Sequence, residues 1–247
     1  MMISTADPFV DEQIRRLEDR LRQEQDVPPQ VLHGWVEDAR ERFADARVTS
    51  FVPILVERAV RAQLKSGSVA GARATAKRLL AGELPRRWRH TRGVAGRAEE
   101  VARLLPRDEG QVLVASAWLH DVGYAAEVTV TGFHQLDGAR YLARHGVPRR
   151  VCALVAHHAG AAGVAELNGL AGELGEFEDE RTLVRDALWY CDMTTSPDGA
   201  RVSFDERMAE LRARRGDSDP VVRALALNGD ERAAAVRRVE DFLRRNG

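Results

Sequence analysis

The stretch Gln111-Val-Leu-Val-Ala-Ser-Ala-Trp-Leu-His120-Asp121-Val-Gly123-Tyr124 decides how this chain is read. Leu113, Ala117 and then His120-Asp121 recur at helical offsets, which predicts a helix over 111–122 with Gly123 as a left-handed C-terminal cap. An imidazole and a carboxylate thus arrive together at a helix end, where the pattern expects core side chains. Both groups bind iron, manganese and zinc at neutral pH. A buried carboxylate without a partner is costly, and a shared cation removes that cost for several side chains at once.

Further ligand-capable residues lie on either side of the doublet. Upstream, His90 heads a stripe of Val94, Ala98, Val101 and Leu105 that turns it inward, where a leucine would be expected. Downstream, a helix from Phe133 to His145, ended by Gly146 and Pro148, places His134 in its first turn. Val151, Leu154, Val155 and His158 keep the i, i+3, i+4, i+7 rhythm, whereas His157 falls about 100° away. His158 is therefore preferred as the ligand. A last helix, Glu180 to Met193, presents Val184, Leu188 and Asp192 on one face, so Asp192 too is a carboxylate at an apolar position. Five of the seven histidines fall in this series; His33 and His145 read as surface residues.

The order His, His-Asp, further histidines and a late Asp resembles the HD-domain superfamily of metal-dependent phosphohydrolases, over roughly Leu84 to Pro197. That resemblance implies an all-α fold, an HD helical bundle around a metal site. It implies that His90, His120, Asp121 and Asp192 hold one metal, and that His134 and His158 complete a second site with Asp121 bridging. Asp121 and His158 carry the catalytic assignment. Many family members follow the doublet with a hydrophobic residue, Gly and Lys. Here Val122-Gly123-Tyr124 follows, and the Lys that faces a substrate phosphate is missing. The run Arg86-Arg87-Trp88-Arg89-His90-Thr91-Arg92 offers guanidinium groups in its place, unless it is a solvated helix entry. Arg86, Arg92, His157 and Thr195 are assigned to substrate binding, with support of a neighbouring ligand for His157 and turn capping for Thr195 as the competing roles.

The mechanism implied is hydrolysis of a phosphate ester, a nucleotide or other small phosphomonoester or phosphodiester. Two divalent metals about 3.5 to 4 Å apart can bind a phosphate oxygen and activate a water. The chain has no G-x-S-x-G elbow and no P-loop, and this chemistry needs neither. Iron and manganese suit the mixed His/carboxylate set best, one or two per chain, with zinc, cobalt or nickel as alternatives. Two other function classes compete: an HD-type di-iron oxygenase using the same ligands, and a non-catalytic HD signalling protein.

Composition fits a helical enzyme of 247 residues, 44% hydrophobic and with a net charge of −1. That charge gives no bulk attraction to nucleic acid or anionic lipid. No window approaches the roughly 20 apolar residues of a membrane helix, so the expected compartment is the cytoplasm. Cys152 and Cys191 read as buried reduced thiols. Residues 1–66 form a helical module, with Ile14, Leu17 and Leu21 on one stripe, Phe43, Val48, Phe51, Leu55 and Val60 later, and a break at Val27-Pro28-Pro29. The part from Val27 to Lys65 resembles, more weakly, a small three-helix-bundle module. It carries no catalytic constellation and reads either as an interaction or homo-oligomerisation surface or as packing on the core. Ser66-Gly67-Ser68 is read as a hinge, and 67–247 as the HD domain with C-terminal helices. In that domain Glu127 to Thr131 and Ala159 to Phe177 are expected loops. Helices are expected over Arg201 to Arg215, Pro220 to Leu227 and Asp230 to Arg245, the last capped by Asp230 after a stop at Asn228-Gly229.

Overall fold

The computed structural model describes residues 8–24, 29–43, 46 and 48–247, and among them no strand forms; a single antiparallel bridge joins Thr195 to Arg201. The chain divides into two compact units, Met1–Ser66 and Gly67–Gly247. None of the described helices is long and apolar enough to cross a membrane.

The first unit consists of α1 (Pro8–Glu24), α2 (Pro29–Arg42) and α3 (Val52–Gly67). Val10, Ile14, Leu17 and Leu21 of α1 meet Leu32, Val36 and Ala39 of α2 and Val52, Val56 and Val60 of α3. The α3 stripe is thus one residue out of phase with the sequence expectation at its start. Val48 and Phe51 are 52% and 57% exposed, and Leu55 is only half-buried, because the helix begins at Val52 and its i, i+4 row runs from there. The three-helix grouping also includes α1, which precedes the segment expected to form it. Of the expected Val27-Pro28-Pro29 break, Val27 and Pro28 lie outside the described residues, and α2 opens on Pro29. The expected hinge falls at a helix boundary, which is also where the two units divide. α3 continues through Gly67, and Ser68 caps α4 (Val69–Leu80), its Oγ accepting from the Gly71 amide at 3.1 Å.

The second unit is built around α6 (Arg107–Leu119). α5 (Pro85–Ala102) and α4 lie against it. Every residue from Leu113 to Leu119 is buried, so α6 is apolar all round rather than on one stripe, as a helix enclosed by others must be. α7 (His134–Arg144) packs on α8 (Arg149–Ala156), and α8 on α6. The expected loop from Ala159 to Phe177 contains two short helices, α9 (Ala161–Leu167) and α10 (Ala171–Leu174). α11 (Leu183–Met193) packs on both α5 and α6. α12 (Phe204–Arg215) opens with a capping box between Ser203 and Glu206. α13 (Pro220–Asn246) follows as two helical stretches joined across a kink at Asn228, whose φ of −138° is not helical, so the expected break at Asn228-Gly229 falls at the kink. Both cysteines are free and buried.

Candidate metal centre and substrate cleft

Because α6 is the central helix, the doublet at its C-terminal end is delivered to the middle of the bundle. His120 ends the helix and Asp121 begins the 3-10 turn Val122–Tyr124. Gly123 is not a left-handed cap: its φ is negative, and its role is close approach. A Cβ there would stand 1.9 Å from the His134 carbonyl oxygen and 2.8 Å from the Gly138 amide nitrogen. Only glycine lets α7 approach closely enough to set His134 beside the doublet. The segment before α7 is held by Asp137, whose carboxylate accepts from the amides of Val130, Thr131 and Gly132 at 3.0 Å. The alternating residues 127–131 are therefore turns tied to α7, as their placement between doublet and His134 led us to expect.

Two triads of donor atoms result, His90, His120 and Asp192 in one and Asp121, His134 and His158 in the other. His90 Nε2 lies 2.9 Å from Asp192 Oδ1. Asp121 stands between the triads. Its Oδ2 faces His120 Nε2 at 3.2 Å and His90 Nε2 at 3.8 Å, while its Oδ1 faces His134 Nε2 at 3.5 Å and His158 Nε2 at 3.9 Å. Three of the imidazoles are oriented by backbone. The Nδ1 atoms of His90, His120 and His158 meet the carbonyls of Ser196, Ala117 and Val155 at 3.0, 2.7 and 2.7 Å. Those contacts put the proton on Nδ1 and turn the Nε2 lone pair into the site, as a metal ligand requires. His134 is instead stacked on Tyr124, with ring centroids 3.9 Å apart.

The donor set fits a divalent transition metal. His120 Nε2 is fully buried with no hydrogen-bond partner among the described residues, an orphan that a cation would satisfy. Burial pushes the His158 imidazole down to about 4, with His120 adding repulsion, and burial together with His158 holds His134 well below its usual range. Both are neutral at pH 7. Burial would lower His120 as well, but Asp121 outweighs it and raises the group. Burial would raise the carboxyls, yet Arg87 and His120 keep Asp121 well below the usual carboxylate range, and His90 likewise lowers Asp192. Neutral His134 and His158 beside the ionised Asp121 are in the protonation states a metal binds.

The substrate-binding expectations fare differently. Arg86 lines an open cleft of about 340 Å³ with Arg87, His90 and Tyr124, its Nε 3.5 Å from Asp198. Arg92 is exposed and lines neither this cleft nor the deeper one at the metal centre. It stands two residues from His90, hence on another face of α5. His157 turns away from the site. Its Nε2–H donates to the Phe177 carbonyl at 2.7 Å, and its own carbonyl accepts from Trp189 Nε1 at 2.8 Å. Thr195 is fully buried, its hydroxyl donating to the Cys191 carbonyl at 2.7 Å. Neither residue lines either cleft.

Several cations that were not singled out do converge on the site. Arg87 Nη1 donates to Asp121 Oδ2 at 2.9 Å, and its guanidinium lies 4.0 Å over the Tyr124 ring. It is three residues before His90, so the i, i+3 relation could have found it. Arg207, Arg214 and Arg215 of α12 and Arg232 of α13 line the deeper cleft, facing Asp121, His134, His158 and Asp192. Of these, Arg207 and Arg214 also line the outer cleft. The two clefts therefore share an arginine-rich wall.

Residues 87–192 match the family model described as HD domain. No curated protein and no solved structure shows a significant match to the chain.

Proposed function

Residues 87–192 are an HD domain, and from that premise we propose that the protein hydrolyses a phosphate ester, a nucleotide or other small phosphomonoester or phosphodiester, by a metal-dependent route. The observation that carries the reading is the two-sided Asp121 carboxylate, each oxygen turned to a different pair of imidazoles. In this reading His90, His120 and Asp192 hold one divalent transition metal, and His134 and His158 a second, with Asp121 shared. Iron and manganese suit the set best. When bound, such metals polarise a phosphoryl oxygen and acidify a water.

The chain's own residues supply the rest. Arg87, half-buried and fixed between Asp121 and the Tyr124 ring, keeps the carboxylate ionised and aligned. The Nδ1 contacts of His90, His120 and His158 prevent the rings from turning away. The outer cleft, bordered by Arg86, Tyr124, Pro197 and Arg214, admits a molecule of small-ligand size. Its arginines favour an anionic substrate, which ranks phosphate-ester hydrolysis above oxygenation of a neutral one. The N-terminal helices are proposed as an oligomerisation or partner surface.

Elemental analysis of anaerobically purified protein, combined with phosphate release from a panel of phosphomonoesters and phosphodiesters, tests this. Transition metal at one or two per chain with phosphate release is the expected result. Oxygen consumption without phosphate release would overturn it.

A further inference from the structure

Arg232 sits on one face of α13 with Ala224 and Asn228, eight and four residues before it, and the buried Ala235 and Val239, three and seven residues after it. It is 2% exposed, and it makes no ion pair among the described residues. Of the other buried arginines of this unit, two are ion-paired. Arg185 pairs with Asp179, Asp186 and Glu231, and Arg207 pairs with Glu210. Arg97 lies 4.8 Å over the Tyr190 ring and donates to its hydroxyl, away from both clefts. Arg232 has only neutral acceptors: its Nε donates to Asn228 Oδ1 at 2.7 Å and its Nη2 to the Gly160 carbonyl at 3.3 Å. Burial lowers its pKa to about 10, against the attraction of Asp192, so at neutral pH it remains a cation.

The surrounding backbone is shaped to admit that guanidinium. α13 kinks at Asn228, whose Nδ2 donates to the Gly160 carbonyl at 2.7 Å. Gly160 has φ +70° and a Cβ there would come within 2.6 Å of Arg232 Nε; a Cβ at Gly163 would come within 2.8 Å of Asn228 Nδ2. Ala159, directly after His158, is forced to φ 51°, a conformation that disfavours a side chain. A buried cation without a counter-charge is disfavoured. Here it borders the cleft that also holds Asp121, His134, His158 and Asp192, whose carboxylates already face imidazoles.

We infer that Arg232 receives an oxyanion of the ligand's phosphoryl group, the ligand supplying the counter-charge that the protein withholds. The inference rests on the phosphate-ester reading of the site. A planar guanidinium held at Nε and Nη2 presents its remaining donor edge in a fixed direction, the geometry in which arginine binds phosphate. The ester and the free product present the same oxyanion.

The test titrates inorganic phosphate into the metal-loaded full-length protein by calorimetry at constant ionic strength, and compares wild type with Arg232→Met and Arg232→Lys. Met removes the charge while keeping most of the volume. It should weaken phosphate binding about tenfold or more, the loss expected for a charge-assisted hydrogen bond. Its metal content should be unchanged, and without phosphate it should melt no lower than wild type, since a buried unpaired charge is gone. Lys should fall between the two, and it decides the matter should Met fail to fold, because it keeps the charge but not the fork. Phosphate binding of a non-hydrolysed ester analogue should drop in parallel with free phosphate if the ester itself is the ligand; a drop confined to free phosphate assigns Arg232 to product. Unchanged phosphate affinity in the variants overturns the inference and leaves the hydrolase reading standing. Loss of metal along with phosphate overturns it in favour of a structural role. A wild-type protein that binds no phosphate overturns both.

Discussion

Substituting Gly123 by alanine tests how the bundle positions its second triad. The added Cβ would stand 1.9 Å from the His134 carbonyl oxygen, whereas ordinary contact begins at 3.4 Å. The first turn of α7 must therefore retreat by about 1.5 Å, since the obstacle is backbone and cannot rotate away. His134 Nε2, now 3.5 Å from Asp121 Oδ1, moves with it, and the ring loses its stacking on Tyr124. Overpacking of this kind costs about 1–3 kcal/mol, which in a chain of this size lowers Tm by about 2–4 °C per kcal/mol. Metal content should fall from about two per chain towards one, because His90, His120 and Asp192 are carried by α5, the end of α6 and α11 rather than by α7. Scanning calorimetry and elemental analysis of Gly123→Ala provide both readouts. A variant that keeps the wild-type Tm and full metal content would refute the argument that glycine is required by close approach.

His158→Ala should likewise lower metal content from about two to about one per chain, whereas His157→Ala should leave it unchanged and lower Tm through loss of the Phe177 hydrogen bond; a larger metal loss in His157→Ala would reverse the assignment. Asp121→Ala should remove most of the metal, and stoichiometric retention measured by elemental analysis would eliminate the proposed bridge. For the metal-free protein, burial holds His158 at about 4 against an ordinary value of 6.5, so the unfolded chain binds the extra proton first and stability falls as pH drops through that window. The loss is on the order of 3 kcal/mol, checked by Tm against pH from 7 to about 4, and a flat profile would contradict the buried neutral imidazole. Both triads and both clefts are formed by residues after Gly67, so a truncated protein beginning at Ser68 should bind metal and retain hydrolysis; a folded, metal-loaded but inactive product would assign the N-terminal helices to the active site.

Much of this was legible before any fold was known, because a helix imposes a period. His90, His120, Asp121 and Asp192 each interrupt an apolar stripe, and polar groups at such positions are retained only where a partner satisfies them. The same rule, carried past Asp192, would have marked Arg232 in the row Ala224, Asn228, Arg232, and counting three residues back from His90 would have marked Arg87 rather than Arg92. What the period does not specify is which neighbour a face meets. Gly123 reads as a cap in one dimension and becomes a point of backbone contact only once α7 lies across it. His157 and Thr195 look like ligand-facing groups until the Phe177 and Cys191 carbonyls take up their donors. The arginine wall exists only because α12 and α13 return over the metal centre, bringing Arg207 and Arg232 to side chains more than forty residues earlier in Asp121, His134 and His158. Local periodicity is written residue by residue, but charge complementarity across a cleft is a property of helix packing, and that is decided by the whole core at once.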